Sequence, residues 1–247
     1  MNENADKIWQ LLASYNYPAK SGLDYINEFT FLVGVLLSAQ AQDAFINTQT
    51  PEFFKAAPDS QSMHALGVEE IARYVQRIGL WRNKSLNIHK LAKQVQEFKK
   101  IKADGKEKEW YDSLVEKCYT AGDESDFNDD LHVYGPIISD EGIPSFRLGL
   151  IQLAGIGRKS ANVFLNVVYN APTFPVDTHV QRVGSRLGVV EGNNPVEMEY
   201  MMKSAVPHEY AKVACHMLVW HGRKVCFAKK PDCAGCKLKN YCNFVKK

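Results

Sequence analysis

Apolar residues recur at helical spacing along nearly the whole chain, and nowhere do they alternate convincingly at period two. Ile71, Tyr74, Val75 and Ile78 follow the i, i+3, i+4, i+7 pattern. Ile88, Leu91, Ala92 and Val95 repeat it, with Phe98 beyond. Residues 29–37 and 161–168 are apolar on most faces, as expected of helices buried at a domain centre. Side chains that return to one face every 3.6 residues cannot all face the core of a strand, so the expected class is all-α. With 247 residues, the chain fits one large domain or two small ones and can bury a core without disulfides.

The longest apolar run, residues 29–39, is broken by Thr30, Gly34 and Ser38 and is too short to span a bilayer, so no membrane association is expected. Residues 1–6 lack the basic-then-apolar order of a secretory signal and carry acids where a transit peptide avoids them. An intracellular, cytoplasmic protein is expected. Net charge is only +2, but it is unevenly spread. Residues 201–247 hold nine Lys and one Arg against Glu209 and Asp232, a local charge of +8, which leaves −6 on the other 200 residues. A basic end suits a polyanion-facing surface, and a solvated Lys-rich tail equally well. Residues 100–144 read as an insertion. They begin Lys/Glu-rich, then carry Asp123, Glu124, Asp126, Asp129 and Asp130 in quick succession.

The sharpest local signal is Leu153-Ala154-Gly155-Ile156-Gly157-Arg158-Lys159-Ser160. A helix-forming stretch, residues 146–153, runs into Gly-x-Gly, and a second helix opens at Arg158. Two glycines permit a tight turn and close backbone approach, and the new helix offers free N–H groups and a positive dipole end to phosphate. An ordinary interhelical turn is the alternative, and flanking Arg158 and Lys159 favour phosphate. Asp177 lies 18 residues after Lys159, just before an apolar helix, where it reads in isolation as an N-cap. Lys159 alone reads as a solvated amine. Together the two supply an amine nucleophile and a carboxylate, the pair that imine chemistry at a sugar carbon needs, provided that they meet in space. Cys226-x6-Cys233-x2-Cys236-x5-Cys242 places four thiols in one short loop, enough for one zinc ion or one iron–sulfur cluster. Cys118 and Cys215 stand apart from it.

With these motifs in this order, the chain resembles the endonuclease III family, helix–hairpin–helix DNA glycosylases and AP lyases that carry a [4Fe–4S] cluster. The resemblance covers residues 25–99 and 145–247. It rests on Leu36-Leu37-Ser38-Ala39-Gln40-Ala41-Gln42-Asp43, Ile78-Gly79-Leu80, the hairpin, Val176-Asp177-Thr178-His179 and the cysteine spacing. It implies Lys159 as the nucleophile and Asp177 as its carboxylate partner. Relatives specialised for mismatched adenine, and some for mismatched thymine, lack a lysine there, so Lys159 implies the bifunctional branch. Gln40 and Leu80 stand where the family pushes side chains into the duplex. Gly155, Gly157 and Arg158 fall at its phosphate contact, and its cluster loop holds Lys229 and Lys230 against the phosphates of the duplex. The four clustered cysteines would hold the cluster, with a structural role.

By the same resemblance the partner is double-stranded damaged DNA, with oxidised or saturated pyrimidines as the expected lesions, and the enzyme acts as a monomer; no protein partner is implied. Two helical domains are expected to flank a DNA-binding cleft. One spans residues 23–171 and includes the hairpin (146–170) and the insertion; the other joins 1–22 to 172–247, so that Lys159 and Asp177 face each other across the junction. The amine attacks C1′ only in its neutral form, which partial burial beside Arg158 at a helix N-terminus favours. A monofunctional glycosylase that uses activated water, or a non-catalytic damage binder, would carry the same scaffold.

Two departures stand out. Ala154 occupies the position where the family usually has proline, which loosens the turn. The stretch between Leu80 and Lys159 is considerably longer than in typical members. Within it, Trp110, Leu114, Val115 and Cys118 predict an amphipathic helix over 106–118, docked on the bundle. An acidic loop over 121–131 is expected to lie away from the DNA or to move aside. His64 and His89 fit surface helix positions, and Trp220 fits the core.

Overall fold

A computed structural model describes residues 4–120 and 127–246. Among them the regular structure is helical, and an isolated bridge joins Ile138 and Pro144. The class is all-α. The chain divides into two compact units, Gly22–Tyr169 and Met1–Ser21 with Asn170–Lys247. Helix α1 (Ala5–Ala13) opens the chain. The unit Gly22–Tyr169 supplies α2 (Glu28–Leu37), α3 (Asp43–Gln49), α4 (Pro51–Ala56), α5 (Ser60–Val75) and α6 (Trp81–Ala103). It continues with α7 (Glu107–Thr120), α8 (Phe127–Asp130), α9 (Arg147–Leu150) and α10 (Arg158–Val168). The other unit resumes with α11 (Thr178–Leu187), α12 (Pro195–Ala205), α13 (Ala214–Lys224) and α14 (Asn243–Lys246).

Helix α2 is the axis of its unit. Asn27 caps it by accepting the Thr30 N–H at 2.8 Å, while the Thr30 hydroxyl accepts the Asn27 N–H at 3.0 Å. Every residue from Phe29 to Leu37 is buried, each large side chain contributing about 1.5–3 kcal/mol. Helix α10 packs on it, with Phe31 and Phe164 stacked at 6.0 Å. Unlike α2, α10 is two-faced: Ala161, Phe164 and Leu165 are buried, while Val163, Val167 and Val168 stay half-covered. Helices α5 and α6 pair through Ile71, Val75, Ile88, Leu91 and Val95, all buried. His64 and His89 are half-buried and stack on each other at 4.2 Å, not the surface positions their spacing suggested.

The insertion is ordered at both of its described ends. Its first residues continue α6 through Ala103, and α7 forms where the apolar spacing places a helix. Leu114 is buried against Phe146 and Leu148, flanked by Trp110, Tyr111 and Cys118. Tyr111, rather than Val115, completes this face; its ring meets Phe146 edge-on at 5.0 Å, and its hydroxyl donates to the Leu131 carbonyl at 2.9 Å. Of the acidic loop, residues 121–126 lie outside the described residues.

The other unit is built on α1, α11, α12 and α13. Ile8, Trp9 and Leu12 join Val180, Val183, Leu187, Met198, Met202 and Leu218 in one core. The Trp9 indole N–H donates to the Ala205 carbonyl at 2.9 Å. Cys215 is buried in this core, and burial pushes its thiol up to about 12. Trp220 is only half-buried, with Arg223 and Lys224 at 5.6 and 6.0 Å from its ring centre, so it is not the core residue expected. No helix among the described residues is long and apolar enough to cross a membrane.

Candidate functional site

The hairpin between α9 and α10 is a tight turn closed by the Ile156 N–H donating to the Leu153 carbonyl at 3.1 Å. Its two glycines differ in what they do. Gly155 has φ +79°, and a Cβ there would meet Leu36 at 2.8 Å and Asn87 at 3.1 Å. Gly157 has φ −101° and open space around its Cβ position. Gly155 is therefore required by the protein's own turn, whereas bareness at Gly157 leaves room for something to approach. Gly157 starts the 11-residue α10 as an N-cap without a side chain, so the cap itself offers no acceptor to the first-turn N–H groups. Lys159, the second residue of α10, is exposed. The partial burial expected of it is not supplied by the protein alone, because the turn projects the second residue of the helix outward.

Helix α6 runs beneath this turn and beneath two further candidates. Leu80 caps it with φ +61° and is 58% exposed. Gln40, in the loop after α2, is exposed with φ +60°. Lys84, one turn into α6, is buried and donates from Nζ to the carbonyls of Leu37 at 2.9 Å and Ala39 at 2.8 Å. These carbonyls are the orphans at the α2 C-terminus, where a cation is favoured. Burial pushes the Lys84 ammonium down from its ordinary value. The Gln40 loop is thereby tied to the helix that begins at Leu80.

Left-handed backbone at a non-glycine residue costs about 1–3 kcal/mol and gathers at functional positions. The described residues with such φ values are Asn16, Asn170, Gln40, Leu80 and Lys230. Asparagine tolerates this conformation. The other three are all residues that the resemblance places against the duplex.

The described end of the acidic loop reaches the hairpin. Asp130 of α8 pairs with the buried Arg147 of α9, and Arg158 Nη1 lies 3.5 Å from the same carboxylate oxygen. Arg147 also donates to Asn162 at 3.0 Å. Insertion, hairpin arginine and α10 thus share one ion-paired cluster, because α7 holds the returning chain against Phe146 just before α9 begins.

In the other unit, Asp177 is the N-cap of α11, accepting the His179 and Val180 N–H groups, both at 2.8 Å. The same helix carries Arg182 and Arg186 one turn apart. Arg182 donates to the carbonyls of Cys226 at 3.1 Å and Gly222 at 3.0 Å. Arg186 donates to the carbonyls of Phe227 at 2.7 Å and Ala228 at 3.0 Å, and to Cys226 Sγ at 3.3 Å. Together they fix the backbone from which the exposed Lys229 and Lys230 project. Cys226, Cys233, Cys236 and Cys242 line one pocket with His221 and Arg186. Burial raises the Cys236 and Cys242 thiols and lowers His221 to about 4, so the ring beside Cys236 is neutral. Among the described residues, no group of three or more His, Cys, Asp or Glu is gathered tightly enough for a single metal ion. Four thiols lining one pocket are the donor set that an iron–sulfur cluster takes.

Sequence reasoning missed Lys84, Arg182, Arg186 and Asp130. The i, i+4 arginines are visible in Arg182-Val183-Gly184-Ser185-Arg186. Lys84 and Asp130 give no such sign, since each acts on backbone or side chains far away in sequence.

The family model for "HhH-GPD superfamily base excision DNA repair protein" matches residues 33–208. An endonuclease III of Rickettsia felis is 33% identical over 239 residues, spanning 97% of this chain and 93% of the relative. The endonuclease III of Escherichia coli K12 is 32% identical over 226 residues, spanning 91% and 88%. A solved endonuclease III–DNA complex, trapped as a covalent intermediate, superposes with a TM-score of 0.74 at 28% identity, covering 98% of this chain and 97% of that one. A thermostable thymine-DNA glycosylase shares the fold, with a TM-score of 0.69 at 15% identity.

Proposed function

The chain belongs to the HhH-GPD superfamily of base excision DNA repair proteins, as an endonuclease III-type DNA glycosylase/AP lyase, and from that premise we propose which of its residues do the chemistry. Lys159 is the nucleophile, Asp177 the carboxylate that serves it, and duplex DNA carrying an oxidised or saturated pyrimidine the substrate. The observation that carries this reading is the exposed amine of Lys159 near the N-terminus of α10, two residues after a glycine with open space around its Cβ position.

The damaged nucleotide must leave the stack, since its glycosidic bond is otherwise unreachable. Gln40 and Leu80, held in left-handed backbone on the surface, fill the duplex where it leaves. The α10 N–H groups and Arg158 take a phosphate, and Lys229 and Lys230 take others. With the duplex bound, Lys159 is enclosed, and its neutral amine attacks C1′ as the base departs; Asp177 stabilises the positive charge developing on the sugar. Loss of one amine proton and cleavage of the C1′–O4′ bond, with O4′ taking up a proton, give a protonated Schiff base that keeps the other amine proton. This acidifies the C2′ hydrogen, and β-elimination expels the 3′ phosphate.

Cys226, Cys233, Cys236 and Cys242 hold a [4Fe–4S] cluster, which when bound cross-links the loop bearing Lys229 and Lys230. The enzyme acts as a cytoplasmic monomer. Borohydride reduction during turnover tests the central step. Wild-type protein gives a covalent adduct with an AP-site duplex. Lys159→Gln gives neither adduct nor strand cleavage yet keeps lesion-duplex binding, with a salt slope lower by at most about one unit. An adduct formed by Lys159→Gln at the wild-type yield removes Lys159 from the mechanism.

A further inference from the structure

The hairpin turn departs from its family at Ala154, and the structure shows what takes the place of the missing proline. Leu153 to Ile156 form a four-residue turn, closed by the Ile156 N–H to Leu153 carbonyl bond, with Gly155 at φ +79° in the third position. That is the signature of a type II turn, whose second position favours proline because the ring presets φ near −60°. Ala154 holds that position here and, unlike proline, has an N–H. This group donates to Gln94 Oε1 at 2.8 Å, and Gln94 Nε2 donates to the Gln152 carbonyl at 2.9 Å. One amide thus spans the turn with both of its ends engaged, and in only one orientation, since a flipped amide would present donor to donor and acceptor to acceptor. Gln94 projects from α6, about four turns beyond Leu80 and two beyond Asn87, the residue against which Gly155 packs.

We propose that Gln94 is a positioning residue for the hairpin, its amide clamping the Gln152–Ala154 backbone in place of the family's proline and so fixing where Arg158 and Lys159 meet the DNA. The clamp works by a different physical route from proline. Proline restricts the turn in every state of the chain, folded or not. Gln94 restricts it only once α6 and the hairpin have come together, and it also fixes the turn's position against α6, which a proline ring does not. Its role in repair rests on the reading of the hairpin as carrier of nucleophile and phosphate contact, whereas the clamp itself does not.

Amide hydrogen exchange of the free protein and borohydride trapping on an AP-site duplex, measured on Gln94→Ala, Ala154→Pro and the double variant, test the two levels separately. In Gln94→Ala the Ala154 and Ile156 amides exchange faster, while the α2 amides do not change. Duplex affinity and trapping rate fall about tenfold, the size expected for two lost hydrogen bonds. Ala154→Pro alone stays near wild type, and in the Gln94→Ala background it restores binding and trapping. Gln94→Glu, which keeps the acceptor for Ala154 but removes the donor to Gln152, falls between. Unchanged exchange at Ala154 and Ile156 in Gln94→Ala overturns the clamp, and so does a double variant no better than Gln94→Ala. Faster exchange with unaltered affinity and trapping overturns its part in positioning. If wild-type protein itself yields no adduct, the assignment of Lys159 has failed, while exchange and duplex affinity still judge Gln94.

Discussion

Asp177 is an N-cap and, under the proposed function, also the carboxylate that serves Lys159, and a single substitution separates the two. Its Oδ1 already accepts two N–H groups at the start of α11, so the N-cap read from its place before an apolar helix is real. Asparagine caps about as well as aspartate. Asp177→Asn is therefore expected to melt within about 0.5 kcal/mol of wild type while losing most of its turnover, as followed by denaturant unfolding and single-turnover cleavage; a normal rate would leave Asp177 a cap only. The two hairpin glycines make a second pair of expectations. Gly155→Ala forces a left-handed alanine against Leu36 and Asn87, lowering stability by at least about 1–2 kcal/mol. Gly157→Ala, with ordinary φ and open space, leaves the melting temperature unchanged and weakens duplex binding. A Gly157→Ala protein that binds normally would show that nothing approaches there. Gly-x-Gly was legible in the sequence as a turn, but which glycine serves the fold and which the partner depends on what surrounds each Cβ position.

Among the elements, α7 was legible and its docking surface was not. Apolar spacing gives the helix, yet only the packed structure shows Tyr111 in place of Val115, because the face is set by where Phe146 stands. The acidic loop illustrates the same limit. Like-charge reasoning expects it to lie away from the DNA or to move aside, and says nothing of Arg147 and Arg158, the two cations that Asp130 finds. The Asp130 carboxylate thus engages the arginine to which the proposed function gives a phosphate. Asp130→Asn should raise affinity for undamaged duplex severalfold at low salt, with the difference shrinking as salt screens the charge. It should also lower the melting temperature, because buried Arg147 leans on the same group. Equal affinities across a salt titration would assign Asp130 to the fold alone.

At the scale of the molecule, the four-cysteine spacing left zinc and an iron–sulfur cluster open, and the cluster proposed for the pocket these cysteines line has a direct test. Purified protein should be yellow-brown with about four irons per chain. Stripping the iron should destabilise the loop bearing Lys229 and Lys230 before it touches α2, as hydrogen exchange would reveal; a colourless, fully active protein with one zinc would contradict the assignment. All-helical architecture was readable because 3.6-residue periodicity is a local property. What escaped were tertiary hydrogen bonds made by ordinary-looking polar side chains, Lys84 above all. Lys84 bears on a wider consequence. Leu80, Lys84, Asn87 and Gln94 lie along one stripe of α6, and through them the Gln40 loop, the Leu80 tip and the hairpin are all indexed to a single helix. Each residue gained or lost in that stretch rotates everything after it by about 100°. Evolution can therefore rewrite the outward letters of α6 freely, yet can hardly change its letter count between Leu80 and Gln94. That interval works as a fixed reading frame, and the chain's extra length has collected beyond it, where no phase has to be kept.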